Sequence, residues 1–242
     1  MEGLGSSAAV IDYNTRRQHA RTLQLEGVTP EMFVAYTRVR LCVVGAGGLA
    51  SGFLPLAAAM GARHFTIIDD DRVNYSNLPR QLLYTPYDIG KPKVEAADRV
   101  VRGYAPGISV KPIQVRLSGE NVEELVEGAN LIVDCSDNFA TRYLLDGVAR
   151  AMHIPLLYGA VGEAVGQITL LHGNAHVSLR DIFGPEPESM PPPAVFPPAV
   201  HLVGTMMASE AFKWVTKYGS TLDGVLLQID LRTNQQVWLP VK

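Results

Sequence analysis

Leu41-Cys42-Val43-Val44-Gly45-Ala46-Gly47-Gly48-Leu49-Ala50 runs from four apolar residues through a glycine turn into a further apolar stretch that lasts to about residue 60. A second apolar run, Phe65-Thr66-Ile67-Ile68, follows and stops at Asp69. Short apolar runs bounded by turn residues read as buried strands, and the longer one between them as a helix, so the stretch is a strand–turn–helix–strand unit. Glycines at such a turn let the backbone approach a phosphate, while the helix N-terminus offers unpaired N–H groups and partial positive charge. The same glycines also serve plain tight packing of a helix on a strand, and the pattern alone leaves both uses open.

Working outward, strands are expected near 40–45, 64–69, 108–115, 130–135 and 154–160, with helices near 48–60, 92–104, 118–127 and 138–152. Alternating β and α elements predict a mainly parallel sheet covered on both faces. After Tyr158 the order changes. Val165-Gly166-Gln167-Ile168-Thr169-Leu170-Leu171 follows its predecessor too closely for a helical crossover, so it pairs antiparallel across Gly162-Glu163-Ala164. A helix near 200–218 and strands near 225–229 and 236–239 close the chain. The fold class is therefore α/β, a Rossmann-like nucleotide-binding fold whose mainly parallel sheet is extended by antiparallel C-terminal strands.

Residues 1–37 read as an N-terminal arm with short helices, carrying Arg16-Arg17-Gln18 and the apolar Leu23 and Leu25, more than as a core element. Residues 38–242 read as one domain. The segment at about 184–198 contains Pro185, Pro187, Pro191, Pro192, Pro193, Pro197 and Pro198, which excludes a helix or a central strand. It is either a mobile linker or a crossover loop that orders over a bound partner.

A chain of 242 residues fits one large domain. A formal charge of −3, with no basic run, gives no footprint for nucleic acid or an anionic membrane. No positively charged leader precedes an apolar segment, and no apolar run approaches the roughly 18 residues of a spanning helix, so the chain reads as soluble and cytoplasmic. The two cysteines, Cys42 and Cys135, both lie in strand-like apolar runs and read as buried thiols.

The chemistry sits downstream of the strands. Asp69 is placed to accept both ribose hydroxyls of a nucleotide. A dehydrogenase would share that feature, but it would not require Asn77, Arg80 and Gln81, nor Lys93 after Gly90-Lys91-Pro92. Arginine and lysine beside bound phosphates stabilise the charge that develops in phosphoryl transfer. Leu131-Ile132-Val133-Asp134-Cys135-Ser136-Asp137-Asn138 is a second buried strand ending in carboxylates, at the sheet edge where ligands bind. Asp137 there can hold magnesium on the phosphates, or Asp137 or Asn138 can cap the next helix.

Taken together, Gly45-x-Gly47-Gly48-Leu49, Asp69-x-Asp71-x-Val73-x-x-Ser76-Asn77-Leu78-x-Arg80-Gln81, Lys93, and Asp134-Cys135-x-Asp137-Asn138 with Arg142 resemble the MoeB/ThiF/HesA family of ubiquitin-activating-enzyme-like adenylyltransferases. The likeness continues through Gly159-Ala160, Gly166-Gln167-Ile168-Thr169, Gly204 and Glu210-Ala211-x-Lys213. It implies adenylation, with ATP and Mg²⁺, of the C-terminal glycine carboxylate of a ubiquitin-like sulfur carrier, releasing pyrophosphate. It also implies roles: Gly45, Gly47, Gly48, Asp69, Asp71, Asn77, Arg80, Gln81 and Lys93 bind the nucleotide; Arg80, Lys93 and Asp137 act on the reacting phosphates, with Asp137 on Mg²⁺. Arg17 resembles an arginine that reaches the other subunit's site in a homodimer. Two departures matter. The regions where many relatives carry zinc-binding Cys-x-x-Cys pairs, Ala175-His176-Val177-Ser178 and the C-terminal strands, contain no cysteine, so zinc is not expected. His172 and His176 flank a turn with no acidic partner in the nearby sequence. Met190, among prolines, stands where relatives often carry a loop cysteine, so no covalent acyl-enzyme is expected. Adenylation of a peptide or small carboxylate, and a non-catalytic partner subunit, are the competing readings.

Overall fold

The computed structural model describes residues 11–188 and 193–241; Met190 lies outside them. Eight strands form one sheet in the order β3-β2-β1-β4-β5-β6-β7-β8. They are β1 (Arg40–Val44), β2 (His64–Ile68), β3 (Ser109–Ile113), β4 (Leu131–Asp134), β5 (Leu156–Gly162), β6 (Val165–Leu171), β7 (Val225–Asp230) and β8 (Gln235–Pro240). The first five are mutually parallel, and β6, β7 and β8 add on antiparallel, as the close spacing after Tyr158 requires. The helices are α1 (Tyr13–Gln18), α2 (Pro30–Arg38), α3 (Gly48–Ala59), α4 (Lys93–Arg102), α5 (Val122–Val126), α6 (Phe139–Met152), α7 (Leu179–Phe183) and α8 (Pro197–Thr216).

The two-residue period of β1 sorts the core. Leu41 and Val43 join the apolar layer under α2, α3, α4 and α8, whereas Cys42 and Val44 join the layer under α5, α6 and α7. Both faces are covered, which is why the parallel strands read as unbroken apolar runs. Strand order reverses between β1 and β4. In a doubly wound sheet that reversal opens a crevice at the carboxyl ends of the strands, here flanked by the glycine turn after β1 and by Ser136-Asp137-Asn138 after β4.

Two expectations need correction. The region before residue 38 is not only an arm: Phe33 and Tyr36 of α2 are fully buried, and Tyr36 packs edge-on against Phe212 of α8 with ring centroids 5.0 Å apart. Its Thr29 cap and Pro30 in the first turn are ordinary helix-start chemistry. Pro197 and Pro198 are helical, because the first turn of α8 has no N–H partners to lose. The helix α7 was not foreseen, although Ser178 and Asp181 form a capping box at its start.

The helices α3 and α8 cross at very short range. A Cβ on Gly204 would collide with the carbonyl of Leu49, and one on Gly52 would lie 2.8 Å from the carbonyl oxygen of His201. That close crossing fixes the start of α8 beside the glycine turn.

Candidate active site

The crevice is an open cleft of about 1220 Å³ whose wall includes Gly45, Gly47, Gly48, Asp69, Asp71, Arg80, Gln81, Lys93 and Asp137. Nine sequence-distant candidates thus converge on one space.

Gly45 sits at φ +91°, and an added Cβ would lie 2.6 Å from the carbonyl oxygen of Cys135. Only glycine lets the β1 turn pass the β4 turn at this distance. Gly47 is the N-cap of α3 and brings no side-chain cap, so the first N–H groups of that helix open on the cleft. Asp69 shapes the turn from the other side: one carboxylate oxygen accepts the Ala46 N–H at 2.7 Å and the other the Asp71 N–H at 2.8 Å. Burial pushes its pKa up, against the pull of Lys93 and of these two bonds.

Lys93 begins α4 with its side chain only 7 % exposed and its Nζ 2.7 Å from the Asp71 carboxylate, which is 66 % exposed. An antiparallel bridge between Arg72 and Pro92, with the Lys93 N–H donating to the Asp71 carbonyl at 3.0 Å, holds the pair together. The approach to α4 is anchored by Asp88, a fully buried carboxylate that accepts two bonds from Arg99 (2.7 and 2.9 Å) and further bonds from Thr85 and Lys91. These bonds, Arg99 foremost, hold the Asp88 pKa far below the usual carboxylate range.

The Arg80 guanidinium donates to the Ser76 carbonyl at 2.8 Å, four residues back. Gln81 is buried, yet its Oε1 has no partner among the described residues, which suits a group held ready for a ligand donor. After β4, Asn138 caps α6 by accepting the Thr141 N–H at 2.9 Å. Of the two roles left open for this pair, the cap belongs to Asn138, and Asp137 is exposed to the cleft with no side-chain hydrogen bond among the described residues.

Two candidates lie outside the cleft wall. Asn77 accepts the Asn74 N–H on its side-chain oxygen, 2.9 Å away, closing its own short 3₁₀ turn, and its side-chain amide nitrogen makes no hydrogen bond among the described residues. Arg17 is exposed on α1, its guanidinium 5.6 Å from the Tyr13 ring centroid, and touches no part of its own chain's cleft.

The cleft also contains residues to which no role was assigned. Arg142 is buried on the first turns of α6, 5.5 Å from the ring centroids of both Phe139 and Tyr158, and donates to the Ser136 carbonyl at 3.0 Å. Its place one turn after the Asn138 cap was the available signal. Buried Asp134 turns back, accepting the Ser136 N–H and hydroxyl. His172 does have an acidic partner, Asp146 at 2.8 Å, contributed by α6 and invisible in the local sequence. The same Asp146 oxygen accepts the Leu179 N–H, so the pair ties the turn to the α7 start. Cys42 and Cys135 are buried, and burial drives their thiols upward, Cys42 to about 12. Neither is a thiolate at neutral pH.

The ThiF family profile matches residues 19–242. The chain belongs to the ThiF family. It is 39 % identical over 225 residues to the SAMP-activating enzyme E1 of Haloferax volcanii, covering 91 % of this chain and 83 % of that one. It is 37 % identical over 229 residues to the sulfur carrier protein adenylyltransferase of Thermus thermophilus, covering 88 % and 82 %. A crystal structure of E. coli MccB with ATP shares the fold, at a TM-score of 0.83 and 19 % identity over 92 % of this chain and 71 % of that one. This ThiF-family chain is an ATP-dependent adenylyltransferase.

Proposed function

We propose that this ThiF-family enzyme adenylates the C-terminal carboxylate of a ubiquitin-like sulfur carrier with ATP, releasing pyrophosphate. The observation that carries the reading is the convergence of the Gly45–Gly48 turn, Asp69, Arg80, Gln81, Lys93 and Asp137 on a cleft open at one side. Asp69 takes the ribose. Arg80, Lys93 and the side-chain amide N–H of Gln81 take the phosphates, Lys93 leaving Asp71 to do so. A substrate carboxylate is already nucleophilic at neutral pH, so in-line attack on the α-phosphorus needs positioning and charge neutralisation and no nucleophile from the protein. The two buried thiols agree with that.

Asp137 is the residue for Mg²⁺: a hard oxygen donor, exposed to the cleft and uncommitted, fits that ion. When bound, the ion supplies positive charge to the polyphosphate. Asp69, Asp70 and Asp71 also place three carboxylates within 4.8 Å of one another, but both oxygens of Asp69 already accept backbone N–H groups. Arg17, exposed and outside its own cleft, is assigned to the partner's cleft in a homodimer.

The sheet favours a protein substrate over a small acid. Val237, Trp238 and Leu239 of edge strand β8 are 42 %, 58 % and 44 % exposed. By strand register Val237 lies beside Gln228, which pairs with Gln167 in the cleft wall, so Val237 and Leu239 continue the cleft face outward. An exposed apolar strip reached from an open cleft suits a folded carrier whose tail enters the site.

ATP–pyrophosphate exchange tests the reading, with candidate ubiquitin-like carriers and with small carboxylates as substrates. Carrier-dependent exchange that Asp137→Ala abolishes is expected. Exchange with small acids alone would move the assignment to them, and exchange with nothing, despite ATP binding, would point to a non-catalytic subunit.

A further inference from the structure

His201 lies just after the proline-rich segment, in the first turns of α8, and nothing in the chemistry above uses it. Its Nε2 lies 3.1 Å from the backbone carbonyl oxygen of Arg80. Since a carbonyl only accepts, the ring nitrogen there carries the proton. The junction is tight on every side. The Arg80 carbonyl lies 3.3 Å from where a Cβ on Gly48 would stand, and Val200 Cγ2 lies 3.1 Å from the same point. The backbone of His201 abuts Gly52, so the imidazole projects from a fixed base on α3. The other peptide groups around Arg80 are local: its N–H and that of Gln81 both donate to the Asn77 carbonyl, at 3.1 and 2.9 Å. The His201 bond therefore ties the Arg80 peptide itself to α8.

We propose that His201 is a positioning residue for the reaction: by holding the Arg80 peptide it aims the Arg80 guanidinium into the cleft and links that aim to the segment entering α8. The entry to α8 is itself pinned to the sheet, the Glu163 N–H donating to the Ala194 carbonyl at 2.7 Å and the Phe196 N–H to the Glu163 carbonyl at 2.8 Å. Pro193, Ala194, Val195 and Val200 line the cleft. A substrate tail lying against them presses on the same helix start that holds Arg80. Burial lowers the His201 pKa, so the ring stays neutral at neutral pH and places no second cation beside Arg80.

The inference rests on Arg80 contacting phosphate, and a double-mutant cycle separates it from the carrier assignment. Mg·ATP affinity is measured by calorimetry for the wild type, His201→Leu, His201→Gln, Arg80→Ala and His201→Leu/Arg80→Ala, with thermal melts on each. Loss of one neutral hydrogen bond predicts about fivefold weaker Mg·ATP binding in His201→Leu. His201→Gln, whose amide can donate to the same carbonyl, returns to within about twofold. In the Arg80→Ala background, His201→Leu has no further effect, because the guanidinium it aims is gone. An equal loss in that background, no rescue by glutamine, or unchanged affinity in His201→Leu overturns the proposal. A wild type that binds Mg·ATP but exchanges with no carrier overturns the carrier reading and leaves the cycle readable.

Discussion

Lys93 and Asp71 are one ion pair with unequal partners, and the inequality predicts opposite phenotypes for the two ends. The lysine side chain is 7 % exposed and the aspartate 66 %. Replacing Lys93 with Met leaves a carboxylate that water already reaches, so the unliganded protein should lose no more than about 0.5 kcal/mol. Catalysis should fall far more. A charged donor lost from a phosphoryl-transfer site costs about 2.7–4 kcal/mol in the transition state, or roughly 10² to 10³ in the exchange rate. Replacing Asp71 with Asn strands a buried ammonium. A fully buried pair would cost about 3–5 kcal/mol when broken; solvent at Asp71 and the surviving amide oxygen bring this to about 1–2 kcal/mol. In a domain of this size that is a fall in Tm of about 2–8 °C. Saturating ATP should recover much of it, because a polyphosphate replaces the missing partner. The assay is thermal unfolding of both variants with and without Mg·ATP, beside exchange kinetics. A larger stability loss in Lys93→Met than in Asp71→Asn, or no rescue of Asp71→Asn by nucleotide, would refute the view that the lysine rests on Asp71 until phosphate arrives.

Gly45→Ala forces a side chain onto a backbone at φ +91° and to 2.6 Å from the Cys135 carbonyl oxygen, so loss of detectable ATP binding is expected by calorimetry, with destabilisation of at least about 1 kcal/mol. Asp88→Asn should cost about 1.5–3 kcal/mol at pH 7. Because the folded-state pKa of Asp88 is depressed from 3.8, its contribution is present above the unfolded value and lost as pH falls through the folded one; the gap between wild-type and mutant Tm should narrow below about pH 4. Val237→Asp should raise the KM for the carrier about tenfold or more while leaving the KM for ATP unchanged, as steady-state exchange will read, since it alters only the sheet face beyond the cleft.

The core and the strand order were legible because β1, β2 and β4 are buried on both faces and carry unbroken apolar runs between turn residues. The acidic strand ends were legible for a related reason: Asp69 follows β2 directly and Asp134 closes β4, each a polar residue where an apolar run stops, and Asp137 lies three residues further on. What escaped was whatever depends on a distant partner. Asp146 and His172 lie on a helix and a turn that meet only through the fold, and neither looks unusual in its own neighbourhood. Asn77 was legible only in part: its side-chain oxygen closes a 3₁₀ turn, which its spacing in the sequence does not show. The burial of Phe33 and Tyr36 was obscured because contacts such as that of Tyr36 with Phe212 are long-range events.

The stretch from Asp69 to Lys93 shows how a generic nucleotide fold acquires a polyphosphate site. An ordinary crossover from β2 would enter its helix within a few residues. Here the chain instead makes two 3₁₀ turns, Tyr75–Asn77 and Pro86–Asp88, before α4 begins. Such a length of irregular chain loses conformational entropy when ordered, of about 1–2 kcal/mol for each residue fixed, and would fray without internal bonds. The bonds are present, within the insertion and from it to its neighbours. The Val73 N–H donates to the Lys91 carbonyl and the Gly90 N–H to the Val73 carbonyl, both at 2.9 Å. Buried Asp88 gathers Thr85, Lys91 and Arg99 onto one carboxylate, and the Tyr84 hydroxyl donates to the Ala46 carbonyl inside the glycine turn. That last bond makes the insertion and the phosphate-facing turn a single structure. Arg80, Gln81 and Lys93 therefore reach the cleft from a braced flap, so the backbone that carries their charge is in place before the nucleotide enters and side-chain ends such as the Lys93 ammonium make the remaining movement.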